Sequence, residues 1–289
     1  MRRLDDNPSP LSFLKSDGFW MFFLWLMIIA ERIAFTAWDR TTQSFIISDS
    51  LNYYHSGLDL MQTGRLIYRG CPTALIMPGI SVLIGALSLI FPEGTALVYA
   101  IRIVWILMGS FVPLLLYKSL RFFTEKPAAF AGACVYLLPW HVQIDCYLLT
   151  ECPYYLFFAL SFYFALRLGQ KRDKLSAWFW AFSILAALMF RANILIFAAF
   201  CFLYFIVFLR FSKKDLFRCT AILCAVLALF IIPWSIRNYR LYNAFIPVTY
   251  GASNPMFEGT YQGDDYPSDD EVYALDPDYN VYAEVSAKR

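Results

Sequence analysis

The chain has 289 residues, of which 60% are hydrophobic, 19% aromatic and only 16% charged, with a formal net charge of +2. Soluble globular chains carry about 25% charged residues, so this composition excludes a soluble domain and points to a protein with several membrane spans. The small net charge hides a polarity: from Arg237 to Arg289 nine acids face four bases, while the remainder is basic in clusters. Such clusters read as membrane topology rather than nucleic-acid binding.

A bilayer-crossing helix needs about 20 apolar residues, with a range of roughly 17–25. In chain order such stretches fall at 18–37, 95–117, 128–146, 152–168, 177–190, 194–209 and 217–236. The purely apolar run of the first, Phe19–Ala30, is short enough for a signal peptide. Glu31 and Arg32 interrupt it and no convincing small-residue cleavage site follows, so an uncleaved anchor is expected. The stretch 74–91 is also apolar, but carries Pro78, Gly79 and Gly85 and ends at Pro92.

Basic residues decide whether 74–91 crosses. They cluster at Arg2/Arg3/Lys15, Lys118/Arg121/Lys126, Arg167/Lys171/Arg172/Lys174 and Arg210/Lys213/Lys214/Arg218. Positive flanks belong in the cytoplasm. All four groups fall there only if 74–91 stays at the outer surface as a juxtamembrane or re-entrant segment. Segment 177–209 is too long for one span and has Arg191 and Asn193 in its middle, so a hairpin turning there is expected.

The expected fold class is an all-α membrane protein, a multi-pass bundle of about seven spans with an outer juxtamembrane helical loop. Its parts are a cytoplasmic N-terminus (1–17), a transmembrane module (18–236, with the outer loop 38–94) and an acidic extracytoplasmic tail (237–289). From Tyr250 onward Gly, Pro, Asp and Tyr dominate, as in an extracytoplasmic loop or the start of one. The expected location is the plasma membrane, with the N-terminus inside. Of seven cysteines, Cys134, Cys201, Cys219 and Cys224 lie in apolar runs as small core residues. Cys71, Cys146 and Cys152 share the outer side, where a disulfide is an option; no CxxC or Cys/His pair marks a metal site.

Parity alone then gathers Asp49, His55, Asp59, Arg65, Arg69, Asp145, Glu151, Arg191, Arg237 and Arg240 on the outer face. Each has a bland reading beside a functional one. Asp49 precedes Ser50, with Tyr53 and Tyr54 one turn on, and its carboxylate can simply cap a juxtamembrane helix. Glu151 suits the positive end of a helix dipole, and Asp145 reads as a solvated loop charge. Arg191, a cation at a tight turn, must be paired, wet or snorkelled to headgroups. Arg65 and Arg69 can anchor at lipid phosphates, Arg102 can pair with an acid in the bundle, and Glu31 and Arg32 can pair with each other.

The order of these features resembles a known group. Asp49-Ser-x-x-Tyr53 is followed by a Gly64-Arg65 loop and the Pro72…Pro78-Gly79 segment. Then come Ala100-Ile101-Arg102, Leu149-Thr150-Glu151, Phe190-Arg191-Ala192-Asn193 and Pro233-Trp234-Ser235-Ile236-Arg237-Asn238-Tyr239. The sequence, over most of 19–262, is similar to the GT-C glycosyltransferases that use polyprenyl-phosphate sugars. These include the dolichyl-phosphate-mannose protein mannosyltransferases and the lipid A aminoarabinose transferases. The resemblance implies an essential acid in the first outer loop, here Asp49, and a second after the third span, here Glu151 or Asp145.

The implied activity is sugar transfer to an acceptor hydroxyl on a lipid, protein or wall polymer at the outer face, with inversion. A phosphate leaving group needs no strong general acid, so one base, Asp49, suffices, unlike the carboxylate pair of glycoside hydrolysis. Arg65, Arg69, Arg191 and Arg237 are the candidate cations for the donor phosphate. Tyr53 and Asn193 are candidates for substrate positioning. Glu151 or Asp145 would orient hydroxyls or share a divalent metal ion with Asp49. There are departures: aminoarabinose transferases have a lysine where this chain has Arg69–Thr73, leaving Arg65 or Arg69 as substitutes. Such families also continue with further spans and often an outer domain, so the sequence reads as a fragment or as lacking part of its acceptor site. Two other readings stand beside the enzyme: a transporter or flippase, whose polar residues would sit near mid-membrane on broken helices, and a non-catalytic partner in envelope assembly.

Overall fold

A computed structural model describes residues 16–39 and 49–251. The basic group Arg2/Arg3/Lys15, most of the link between the first two helices and the acidic tail beyond Gly251 lie outside them.

The first helix, α1 (Asp17–Trp38), begins where the Ser16 hydroxyl accepts the Gly18 N–H at 3.1 Å, satisfying a donor the helix itself leaves open. After it come α2 (Ser50–Thr63), a hairpin of β1 (Ile67–Tyr68) and β2 (Cys71–Pro72), α3 (Gly79–Ser88) and α4 (Thr95–Leu120). The chain continues with α5 (Lys126–Ala133), a 3₁₀ turn (Cys134–Leu137), α6 (Pro139–Cys146) and α7 (Glu151–Lys171). It ends with α8 (Lys174–Leu188), α9 (Ile194–Val207) and α10 (Lys213–Tyr242).

Three helices, α1, α4 and α10, are long and apolar enough to cross a membrane, and a fourth crossing is added if the bent pair α6–α7 counts as one. Seven spans are not confirmed by helix length and composition. At 15 and 14 residues, α8 and α9 rise only about 22 Å against a hydrocarbon core of about 30 Å. The expected span 128–146 is not one helix. Pro139 has no N–H to donate and disfavours helical geometry at the residue before it. Leu138 is accordingly extended (φ −65°, ψ 142°), separating α5 and the 3₁₀ turn from α6, which then meets α7 at 112°. The ten residues of α3 cover about 15 Å, half a hydrocarbon core.

Contacts sort the loops into two ends. At one, Arg102 of α4 pairs with Asp39 (2.9 Å) and the Trp105 indole donates to the Leu149 carbonyl (2.9 Å). There too the Gly79 N–H donates to Met189 (2.7 Å) and the Ala74 N–H to the Tyr242 hydroxyl (3.1 Å). At the other, Arg121 pairs with Asp17 (3.0 Å), Phe122 meets Tyr163 (5.9 Å) and Arg172 donates to the Leu209 carbonyl (2.8 Å). The described basic clusters fall at this second end, and Asp49, Glu151, Arg191 and Arg237 at the first.

The core is thin and the outside apolar. Trp105, Trp180, Ile101 and Ile184 are fully buried, while Phe22, Ile103, Phe111, Phe200 and Leu229 are exposed. On a soluble protein such a belt would aggregate; in a bilayer it is the covered surface. Gly109 marks the tightest approach inside: a Cβ there would sit 2.2 Å from the Asp145 carboxyl carbon. Gly109→Ala should therefore destabilise the protein by about 1–3 kcal/mol, read as a lowered Tm in detergent, whereas Gly132→Ala, opposed only by the tip of the Leu120 side chain, should be mild.

Candidate active site

Asp49 is the residue before α2, but its backbone is helical (φ −75°, ψ −2°) and its side chain caps nothing. An N-cap needs an extended backbone to turn its oxygen back onto the first turn, so the capping reading is corrected. The carboxylate, 39% exposed, instead takes the Arg69 guanidinium at 3.2 Å. Arg69 reaches it because Tyr68 pairs with Cys71 across a two-residue turn, and Arg69 (φ 52°) and Gly70 (φ 77°) adopt the positive angles such a turn requires. Neighbouring Tyr68 is buried beneath, its ring 5.7 Å from that of Tyr53. Burial first, then Tyr53 and the Asp49 carboxylate, push the Tyr68 phenol well above its ordinary range. It keeps its proton beside Asp49 at any physiological pH.

The Ser50 hydroxyl donates to the Leu148 carbonyl at 2.7 Å, bringing the start of α2 against the turn that leads into α7. Glu151 opens α7, as the dipole reading expects, and also pairs with Arg191 from the α8–α9 turn. Arg191 is thus paired, and its turn is the hairpin expected in 177–209. Thr150 and Arg191 line a cavity of about 280 Å³ together with Tyr53, Asn193, Met77 and Thr249. Asn193 precedes α9 without capping it and is exposed, so its amide is available to a ligand. Four helices and the 75–77 strap therefore meet around one polar cavity.

Arg237 holds the hairpin and the lead into the strap at Thr73 rather than facing the cavity. Its guanidinium donates to the carbonyls of Thr73 (2.5 Å) and Leu66 (3.5 Å) and to the Asn238 side chain (2.8 Å), and lies 4.8 Å over Trp234. Tyr242 donates to the Pro72 carbonyl (3.0 Å) and Thr249 to that of Leu75 (2.6 Å), so α10 and the segment after it clamp the hairpin. Arg65 is exposed, and no side-chain partner for it is present among the described residues.

Asp145 is not a solvated loop charge. It is fully buried, and its Oδ2 takes Nε and Nη2 of Arg32 at 3.1 and 3.0 Å while the Tyr136 hydroxyl donates to Oδ1 at 3.0 Å. Arg32 is itself fully buried and reaches Glu31 at 2.5 Å as well as the Tyr136 carbonyl at 3.0 Å. A carboxylate so enclosed cannot meet a substrate in this conformation. All seven cysteines are free, so the optional disulfide is absent. Among the described residues no three His, Cys, Asp or Glu side chains gather as metal ligands. Asp49, Glu151 and Asp145 each face an arginine, so this donor set does not fit a divalent ion.

Sequence reasoning missed Tyr68, Thr150 and Thr249 as neighbours of the site. The Ile-Tyr-Arg-Gly-Cys run carries the turn signal that could have found Tyr68; Thr249 is brought in only by the clamp on α10.

The structure thus shows a helical membrane bundle with a cavity at one end lined by Arg191, Asn193, Thr150 and Tyr53, and the family match below makes it a membrane glycosyltransferase of the GT-C type. The family model for dolichyl-phosphate-mannose-protein mannosyltransferase matches residues 77–236, more than half of the chain, and the chain belongs to that family. The matched region includes Glu151, Arg191 and Asn193; Asp49, Tyr53 and Arg69 precede it. No curated protein and no solved structure gives a significant match.

Proposed function

We propose that the chain transfers a sugar from a polyprenyl-phosphate donor to an acceptor hydroxyl at the extracytoplasmic face, with inversion. The observation that carries this reading is Asp49. Its carboxylate caps no helix, is part-exposed, and stands one turn before Tyr53, which lines the cavity. In the reaction the acceptor oxygen attacks the anomeric carbon and its proton passes to Asp49. The bond from the anomeric carbon to the phosphate oxygen breaks, and its electron pair leaves with the lipid phosphate. Arg69 orients the base. Arg191 and Arg65 are the cations for the departing phosphate, while Glu151 balances Arg191 and, with Asn193 and Tyr53, orients sugar or acceptor hydroxyls. Arg237 acts indirectly, by holding the strap.

The cavity at one end of the bundle favours this over a transporter, whose site would sit at mid-membrane; the Arg32–Asp145 pair, between α1 and the bent α6–α7 helices, lies deeper, but both side chains are fully enclosed. The remaining basic end supports a cytoplasmic placement opposite the site. Two results test the reading. The anomeric configuration of the product should be opposite to that of the donor; retention would contradict direct displacement. A reporter fused after Ile90 should read extracytoplasmic, and a cytoplasmic signal would put the site on the wrong face.

A further inference from the structure

The end remote from the site carries a second cavity, of about 400 Å³, between α1, α4 and α7. Its polar lining is Asp17, Tyr117, Lys118, Arg121, Tyr163 and Gln170. Asp17 is already matched: the Tyr117 hydroxyl donates to it at 2.7 Å and Arg121 Nε at 3.0 Å. Lys118 is exposed and makes no hydrogen bond or ion pair among the described residues, so the cavity keeps a cation not matched by Asp17 beside further N–H and O–H donors. An apolar groove of about 330 Å³ adjoins it, between α7 and α9. Phe123, Phe162, Phe197, Phe200, Tyr204 and Phe205 line this groove. The two lie side by side, since Phe122 and Phe123, and Tyr163 and Phe162, line one each.

We propose that this pair of cavities is a binding site for an anionic phospholipid, its phosphate at Lys118 and Arg121 and one acyl chain in the aromatic groove. The chemistry is that of basic cavities between membrane helices, which take anionic headgroups. The site lies at the opposite end of the bundle from Asp49, so it holds a structural or regulatory lipid and not the sugar donor.

The full chain, purified in neutral detergent, is titrated with long-chain phosphatidylglycerol, long-chain phosphatidylcholine, a short-chain phosphatidylglycerol and inorganic phosphate, following Tm and retention in native mass spectrometry. Long-chain phosphatidylglycerol should be retained and raise Tm, and the other three should do so much less. Lys118→Glu should weaken that binding about tenfold or more, and Lys118→Gln by less. Lys213→Glu with Lys214→Glu, on the same basic end but outside the cavity, should leave it unchanged. Phe123→Ser with Phe200→Ser should abolish the preference for the long chain. Equal stabilisation by phosphatidylcholine, or unchanged binding by both Lys118 variants, would overturn the site. Full reproduction of the effect by phosphate alone would overturn the lipid as its ligand.

Discussion

Asp49→Asn lowers the initial rate of sugar transfer by about 10²–10⁴-fold, the range a positioned general base supplies, with insertion and Tm unchanged. The amide keeps the shape of the carboxylate but cannot take the acceptor proton. The structure explains why stability should be spared: Asp49 caps no helix, and its pair with Arg69 is part-exposed on both sides, where such pairs contribute at most about 1 kcal/mol. Arg69→Lys should fall between wild type and Asp49→Asn, because an ammonium keeps the charge but not the planar fork. Near-normal turnover by Asp49→Asn would remove the base assignment and leave the rest of the cavity unexplained.

Removing one partner of the buried Arg32–Asp145 pair has the opposite signature. Arg32→Met strands a carboxylate that is fully enclosed and keeps no cation, only the neutral Tyr136 hydroxyl and Cys152 thiol. Breaking such a pair on one side costs about 3–5 kcal/mol, enough to deplete folded protein from the membrane. The cost is mostly that of an uncompensated charge, so the double variant Arg32→Met/Asp145→Asn should recover a large part of it. Quantitative abundance and Tm in detergent read this directly. A double variant no better than Arg32→Met would mean that packing around Gly109, not charge, dominates there.

These two carboxylates show how much the sequence could say. Charge parity gathered Asp49, Glu151 and Arg191 at one end, because the positive flanks constrain the fold globally and need no knowledge of packing. That end is the one where the cavity forms. Parity could not tell which of these groups faces the cavity. Asp145 and Asp49 look alike in sequence, each a polar interruption near an apolar run. Their difference lies in long-range partners, Arg32 across the bundle for one and a hairpin arginine for the other. The contacts of Arg237 were out of reach for the same reason: the carbonyls it holds are more than 160 residues away in the chain. The number of crossings is unconfirmed for local reasons. Hydropathy saw apolar residues in 128–146 but not that Pro139 would break the helix, nor that the turn at Arg191 leaves α8 and α9 each shorter than a full hydrocarbon core.

The identity of the donor decides whether the protein is a polyprenyl-phosphate-dependent transferase. Membranes containing the protein are incubated with a polyprenyl-phosphate sugar labelled in the sugar, and in parallel with the corresponding labelled nucleotide sugar under conditions that block polyprenyl-phosphate synthesis. Label should pass to an acceptor from the polyprenyl-phosphate donor alone, with none transferred in membranes carrying Asp49→Asn. Transfer from the nucleotide sugar, or equal transfer with Asp49→Asn, would contradict that reading.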